Sequence, residues 1–348
     1  MPQSIFIPKP AKEKMYAKAL ICDENQKFSH ADVILPDPGP EDLVIRTLCS
    51  GVSIGTEFAL IRNKISWGSY PMCTGYQGVG VVEYVGADVH GFKAGDKVYH
   101  RHNRAMQLTN GETVSASSGA HCSVVVTQPT GTHGVALLPE GADEASASLF
   151  VMPAVGLNGV DMANPRMGDI VAVYGSGLIG LGVIAACSHR GCIVIAIDIA
   201  PDRLEIAQKL GADYTINGTT HDVKAEVVKI ASEGADVVFE ASGIPTCVDP
   251  AMELCRQHGK FIYQGHYGTS PLSYNYVVPH GKRLTTFYPC DDGFAPCRRA
   301  VIKNMATGVL PWHHTITHRI EAKDSAKLYT AINTGTANDV VGAVIRWT

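Results

Sequence analysis

Charge is scarce in this sequence. Only 18% of the 348 residues are Asp, Glu, Lys or Arg, against about a quarter in ordinary soluble domains. With 45% apolar residues, the balance excludes a disordered chain and leaves ample material for buried cores. The chain has no basic block and its formal net charge is -4, which excludes nucleic acid or an anionic membrane surface as the main partner. Long apolar runs are missing as well. The most apolar stretch, Ile170–Cys187, is broken by Tyr174, Ser176 and several glycines, so no membrane span is expected. The segment Met1–Lys18 is polar and lysine-bearing and has no signal-peptide core, so a cytoplasmic location is expected. The ten cysteines include no C-x-x-C pair and are read as reduced, mostly buried thiols rather than a disulfide framework.

The length suits about two domains. Through residue 150 or so the pattern is of short strands divided by Gly and Pro turns, as at Tyr16–Cys22, Asp42–Ser50, Gly78–Val85, Asp96–Tyr99 and His121–Thr127. This predicts a β-rich, barrel-like unit. From Gly156 the rhythm changes to alternating strands and helices. Strands are predicted at Asp169–Tyr174, Cys192–Asp198, Tyr214–Ile216, Ala235–Glu240, Lys260–Gln264 and Leu284–Tyr288. Helices are predicted at Leu178–Arg190, Pro201–Leu210, Asp222–Ser232, Cys247–Cys255 and Pro296–Ala306. Repeated βαβ units make a parallel sheet covered on both faces, an α/β architecture. The tail, Thr315–Ile320 and Val340–Trp347, is expected to rejoin the first unit. The resulting division is 1–153, completed by 291–348, and 154–290.

The buried strand Ile170–Tyr174 runs straight into Gly175-Ser176-Gly177-Leu178-Ile179-Gly180 and then a helix. Gly175 allows the tight turn, Gly177 lets backbone approach a pyrophosphate, and Gly180 lets helix and strand pack closely. The helix start offers free N–H groups and partial positive charge to phosphates. The next strand ends in Asp198, an acid placed to accept hydrogen bonds from ribose hydroxyls and to repel a 2′-phosphate, which favours NAD over NADP. Arg203 follows, either stacking near adenine or lying solvated on its helix. Ser242, Gln264 and Gly265 sit at the ends of later strands, where ligands of open α/β sheets bind.

Over nearly its full length the chain resembles the medium-chain dehydrogenase/reductase superfamily, the relatives of zinc-type alcohol dehydrogenases. The landmarks are Ser50-Gly-Val-Ser-Ile-Gly-Thr-Glu57, Thr74-Gly-Tyr-Gln-Gly-Val-Gly-Val-Val82, Gly86 through Gly95-Asp96-Lys97-Val98, and Gly175–Gly180. The resemblance implies a GroES-like β-barrel catalytic domain plus a Rossmann doubly wound parallel-sheet domain, with the active site between them. It also implies a homodimer or homotetramer joined through the Rossmann sheets.

The resemblance further implies three zinc-ligand positions, which here read Ser53, Tyr76 and, near the start of the second unit, Phe150. Catalytic zinc keeps three ligands of Cys, His or carboxylate type, so no catalytic metal is expected there. His100, His102, His121 and Cys122 are the remaining candidates for a different metal site, or are loop residues. Without zinc a side chain must handle the alcohol proton. Ser53, Glu57, Tyr76, Gln77, His100 and His266 form the candidate catalytic set, with Tyr76 or a cleft histidine as acid/base and Gln77 and Ser53 on substrate hydroxyls. Glu57 also reads as a loop-shaping residue, and Asn158 either reaches the nicotinamide or caps a helix. The first block is similar to that of metal-poor branches acting on glycosides. Polar candidates (Gln77, His100, His102, Asn103, Arg104, His266, Tyr267, Asn275) suit a sugar, glycoside or polyol as the small-molecule substrate. The other readings are an NADPH-dependent quinone or enone reductase and a non-catalytic NAD-binding structural or sensing protein.

Overall fold

The computed structural model describes residues 14–347; most of the polar segment Met1–Lys18 lies outside the described residues. The first half is built of β1 (Met15–Cys22), β2 (Phe28–Leu35), β3 (Leu43–Val52), α1 (Ile54–Ile61), β4 (Met72–Cys73), β5 (Gly78–Val85) and β6 (Lys97–His100). It continues with β7 (Met106–Leu108), β8 (Thr113–Ala116), β9 (Val124–Thr127), β10 (Ala136–Leu137) and α2 (Glu144–Ala147). Strands β1, β2, β7, β8 and β4 close into a barrel. Strands β3, β5, β6, β9 and β10 lie in a second sheet, where Leu43, Ile45, Val79 and Val82 are buried and Arg46 and Glu83 pair outside at 2.8 Å.

The second half starts with α3 (Val151–Ala163), β11 (Ile170–Tyr174), α4 (Leu178–His189), β12 (Ile193–Asp198), α5 (Pro201–Lys209), β13 (Tyr214–Asn217) and α6 (Val223–Ile230). Then come β14 (Ala235–Glu240), α7 (Val248–Glu253), β15 (Cys255–Tyr263), α8 (Val277–Lys282), β16 (Thr285–Phe287) and α9 (Phe294–Ala306). The six strands form one parallel sheet ordered β13-β12-β11-β14-β15-β16. In order of appearance this is 3-2-1-4-5-6, the doubly wound arrangement, with its crevice where the order reverses between β11 and β14. The sequence pattern places Cys255 at the end of a helix. In the structure it opens β15, because the irregular register between Ala235 and Val237 lets that strand start early.

The tail supplies β17 (Ile316–Glu321), α10 (Ser325–Asn333) and β18 (Gly342–Arg346). Strand β18 pairs antiparallel with β3, Ala343 opposite Val52 and Ile345 opposite Ser50, so the tail does return to the first half. All ten cysteines are free thiols. Among the described residues no helix is long and apolar enough to cross a membrane.

Within the second half, α3 and α4 pack with their backbones approaching through glycine. A Cβ on Gly182 would lie 2.7 Å from the Pro153 Cα, and one on Gly156 would lie 2.7 Å from the Val183 N. Neither neighbour is a flexible side-chain end. Gly182→Val is therefore expected to destabilise the protein by about 1–3 kcal/mol through overpacking, read as a lowered urea midpoint. Gly218→Ala, where a Cβ meets only Val223 Cγ2 at 3.5 Å and Ile199 Cγ2 at 4.0 Å, is the matched control and should stay within about 0.5 kcal/mol. Equal midpoints for the two variants would refute the close helix crossing.

Candidate active site

The glycine turn leaves β11 at the sheet's switch point. Gly175 takes φ +102°, and a Cβ there would sit 2.7 Å from the Ser242 N. A Cβ on Gly180 would fall 1.9 Å from the Gly175 carbonyl oxygen, while nothing lies within 4 Å of one on Gly177. Two glycines thus make the turn, and the third leaves open space before the α4 N-terminus, led by Leu178 and Ile179. The Ser176 hydroxyl is buried without a partner, an orphan of the kind a phosphate oxygen satisfies. Asp198 is already oriented: one carboxylate oxygen accepts from the Ser176 N–H at 2.7 Å, the other from Ile199 and Ala200 at 2.8 and 2.9 Å. These residues fit a dinucleotide. Arg203 lies half-buried in the first turn of α5.

The wall predicted at the later strand ends is organised by a residue that sequence reasoning missed. Glu240, fully buried at the end of β14, accepts from the N–H and hydroxyl of Ser242, from the Gly243 N–H and from the Tyr267 hydroxyl. Gly265 packs against Gly243, where a Cβ would come within 2.6 Å. Gln264 donates to the Val155 carbonyl at 3.2 Å, and its amide oxygen is buried unpaired.

On the barrel side, Ser53 stands just before α1 and Tyr76 just before β5. The Tyr76 hydroxyl donates to Ser53 Oγ at 2.5 Å and is also hydrogen-bonded to the Thr56 side chain. Both residues are nearly buried. Burial pushes the Tyr76 hydroxyl up to about 12, against the pull of its hydrogen bonds and of Arg101. The Arg101 guanidinium sits 5.5 Å from the Tyr76 ring centre and donates to the Tyr76 carbonyl at 3.2 Å.

Other predicted members of the set go elsewhere. Glu57 is wholly buried and belongs to the fold. One oxygen accepts from the Ser53 N–H at 2.8 Å, and the other meets His121 Nε2 at 3.0 Å and the Tyr329 hydroxyl at 2.7 Å. Gln77 accepts from the Val151 N–H at 3.0 Å, anchoring the start of α3, though its amide nitrogen is buried unpaired. His100 is not at the cleft edge: it is wholly buried against Gly78, with both ring nitrogens unpartnered. Burial, then the neighbouring His102, pushes it down to about 3, so it stays neutral and cannot shuttle protons near pH 7. His266 is exposed on the loop after β15. Asn158 neither caps a helix nor stays free; it donates to the Cys290 and Asp291 carbonyls at 3.1 and 3.3 Å.

His100, His102, His121 and Cys122 do not converge as metal ligands. Among the described residues the one group with ligand atoms close enough is His133, Asp291 and Asp292. Its carboxylates already face cations, since Asp292 pairs with Arg101 at 3.0 Å and with Arg298 at 2.6 Å. This ion cluster joins Arg101, just after β6, to the segment after β16. Its members lie too far apart in sequence to be read as a motif.

The chain matches the family models "Alcohol dehydrogenase GroES-like domain" over residues 39–141 and "Zinc-binding dehydrogenase" over 179–305. The chain belongs to the medium-chain dehydrogenase/reductase superfamily. Its members are nicotinamide-dependent oxidoreductases. Similar proteins include an alcohol dehydrogenase of Cupriavidus necator, 26% identical over 90% of this chain and 94% of the relative. An erythritol/L-threitol dehydrogenase of Mycolicibacterium smegmatis is 26% identical over 90% and 93%. A solved Thermus alcohol dehydrogenase superposes with TM-score 0.80 at 21% identity, covering 94% of this chain and 99% of that one, a likeness of fold. At the three positions that the resemblance assigns to zinc ligands, the residues present do not fit that metal. The Tyr76 hydroxyl donates to Ser53 Oγ, and Phe150 is fully buried with its ring 4.8 Å from that of Tyr99. None is a ligand type catalytic zinc uses.

Glu57 generates a prediction. Burial alone raises its carboxyl, but the charge of His121 and hydrogen bonds from His121, Ser53 and Tyr329 bring it below the usual range. A carboxyl depressed in the folded state adds stability above its unfolded value, near 4.5, and that contribution is lost as pH falls through the folded value. Urea midpoints should therefore drop on acidification below about pH 4.5. Glu57→Gln should cost about 3–5 kcal/mol at pH 7 and flatten the acid limb. An unchanged limb in the variant would show that another group governs it.

Proposed function

We propose that this chain is an NAD(H)-dependent dehydrogenase that interconverts a secondary alcohol and a ketone, of a sugar, glycoside or polyol, without catalytic zinc. The Tyr76–Ser53 hydroxyl pair carries this reading, because it stands where the superfamily places metal ligands. The domain carrying the cofactor is 154–290; 1–153 with 291–348 carries the substrate.

When bound, the nicotinamide supplies the hydride acceptor or donor. Gly175–Gly180 and the unpaired Ser176 hydroxyl hold the pyrophosphate, and Asp198 holds the adenosine ribose. Ser242, Gln264 and Gly265 wall the nicotinamide. The substrate oxygen rests on the hydroxyl pair. Because Ser53 Oγ accepts from Tyr76, the Ser53 proton is free to point at that oxygen. In ketone reduction Ser53 gives its proton and Tyr76 replaces it. Half-exposed Thr56 links Tyr76 toward solvent, and in oxidation the proton runs the other way. The high Tyr76 value keeps the pair protonated at neutral pH, which favours donation. Support for a polyhydroxy substrate comes from the relatives, which include erythritol/L-threitol and sorbitol dehydrogenases.

Oxidation needs Tyr76 able to receive a proton, so its kcat/KM should climb by up to about tenfold per pH unit from neutral into the alkaline range. Tyr76→Phe should lower turnover about 10²-fold or more and remove that climb; near-normal turnover would take Tyr76 out of the relay. Asp198→Asn removes the charge and keeps one acceptor oxygen for the Ile199 and Ala200 N–H groups, while giving up the bond from the Ser176 N–H. It should narrow the NAD over NADP preference about tenfold or more, measured as the ratio of kcat/KM values. An unaltered ratio would assign cofactor choice elsewhere. An NADH absorbance screen over sugars, glycosides, polyols and secondary alcohols tests the function itself. Tight NAD binding with no turnover would favour a binding protein, and fast enone reduction with NADPH would favour a reductase.

A further inference from the structure

Of the three tryptophans, Trp312 is buried in the core and Trp347 is partly covered, whereas Trp67 is 49% exposed. An isolated exposed apolar residue needs no explanation, but Trp67 stands beside the hydroxyl pair. Its ring centre is 6.1 Å from that of Tyr76, inclined at 66°. The loop that carries it is anchored on both sides. Tyr70 donates to the Ile61 carbonyl at 2.7 Å, and Ser115 donates to the Ser69 carbonyl at 2.5 Å. Gly68 lies so close to the barrel that a Cβ there would come 2.7 Å from the hydroxyls of Ser115 and Ser117. The indole is thus a rigid, wet, flat surface next to the reacting position, amphipathic and low in ordering entropy.

The charges around Tyr76 say what kind of molecule lies on it. Arg101 is compensated by Asp291 and Asp292, and Arg298 by Asp292. Burial, then Arg101 and other neighbours, lowers His102 to about 4 and brings His133 below its ordinary value. The site therefore presents hydroxyls, amides and neutral imidazoles, with these cations already spent on carboxylates. A phosphate or carboxylate on the substrate would compete with Asp291 or Asp292 for its partner.

We propose that Trp67 is the platform for the apolar face of an uncharged pyranoside ring whose reacting hydroxyl is held at Ser53 and Tyr76. This rests on the dehydrogenase reading above and narrows its substrate class. A pyranoside carries C–H groups on its faces and hydroxyls on its rim, which matches a flat indole beside a polar wall. A small acyclic alcohol has no face to lay there.

The test is steady-state oxidation of methyl β-D-glucopyranoside and of 2-butanol by wild type, Trp67→Ala and Trp67→Phe with NAD⁺. Trp67→Ala should lose roughly tenfold in kcat/KM on the pyranoside, mostly through KM, as expected for one aromatic contact. On 2-butanol it should stay within twofold, and Trp67→Phe should recover most of the pyranoside loss. The wild type should also prefer the neutral pyranoside to glucose 6-phosphate. An equal loss on both alcohols, a pyranoside value unmoved by Trp67→Ala, or a preference for the phosphate would overturn the platform while leaving the dehydrogenase reading intact. A wild type that oxidises neither alcohol would overturn that reading, and the platform with it.

Discussion

The buried carboxylate of Glu57 holds the barrel side of the site together. One oxygen fixes the Ser53 N–H, and with it the turn that aims the Ser53 hydroxyl. The other meets His121, whose ring lies against Gly75, so close that a Cβ there would be 2.6 Å away. Gly75 precedes Tyr76. One carboxylate therefore sets both partners of the hydroxyl pair, from two elements far apart in sequence. The third contact, from Tyr329 on α10, makes the tail part of the site's foundation. The remaining bonds close the shell: His121 Nδ1 meets Ser50 Oγ at 2.8 Å, and the Trp347 indole N–H donates to the same oxygen. A buried charge with this many partners would be costly to strip of any of them.

The opposite half is built on backbone. Gly175 and Gly180 bring β11, α4 and the end of β14 within contact distances that side chains would forbid. Glu240 holds the adjoining loop, and Asp198 is fixed by three N–H donors. Between the halves lie the Gln77 bond to α3 and the cluster of Arg101 and Arg298 with Asp291 and Asp292. Charges in that cluster balance, which lets them sit buried and leaves the neighbouring cleft without a strong field.

Much of this was legible in the sequence because it is local. Strand–glycine turn–helix is a contiguous signal, and β5 and β14 were placed to the residue because alternation and glycine punctuation agree there. The barrel strands β2, β7 and β8 were not read, since three to eight residues of mixed polarity carry little periodicity. At the site, Ser53 and Tyr76 followed from block positions in the resemblance. Glu57 and Gln77 share those blocks and His100 follows the third, yet their side chains point into the interior. Strand direction and the distant partners His121, Val151 and Gly78 decide that, and nothing local does. Arg101, Asp291, Asp292 and Glu240 were missed for the same reason: each gains its role only from residues brought up by the fold.

The central claim is that a hydroxyl pair, rather than a zinc ion, handles the substrate oxygen. The most direct measurement is zinc content against glycoside oxidation with NAD⁺, on protein dialysed against a chelator and on the same protein after zinc is added back. The account predicts full turnover at substoichiometric zinc and no gain on addition. Turnover that falls with the metal and returns with it would contradict the account.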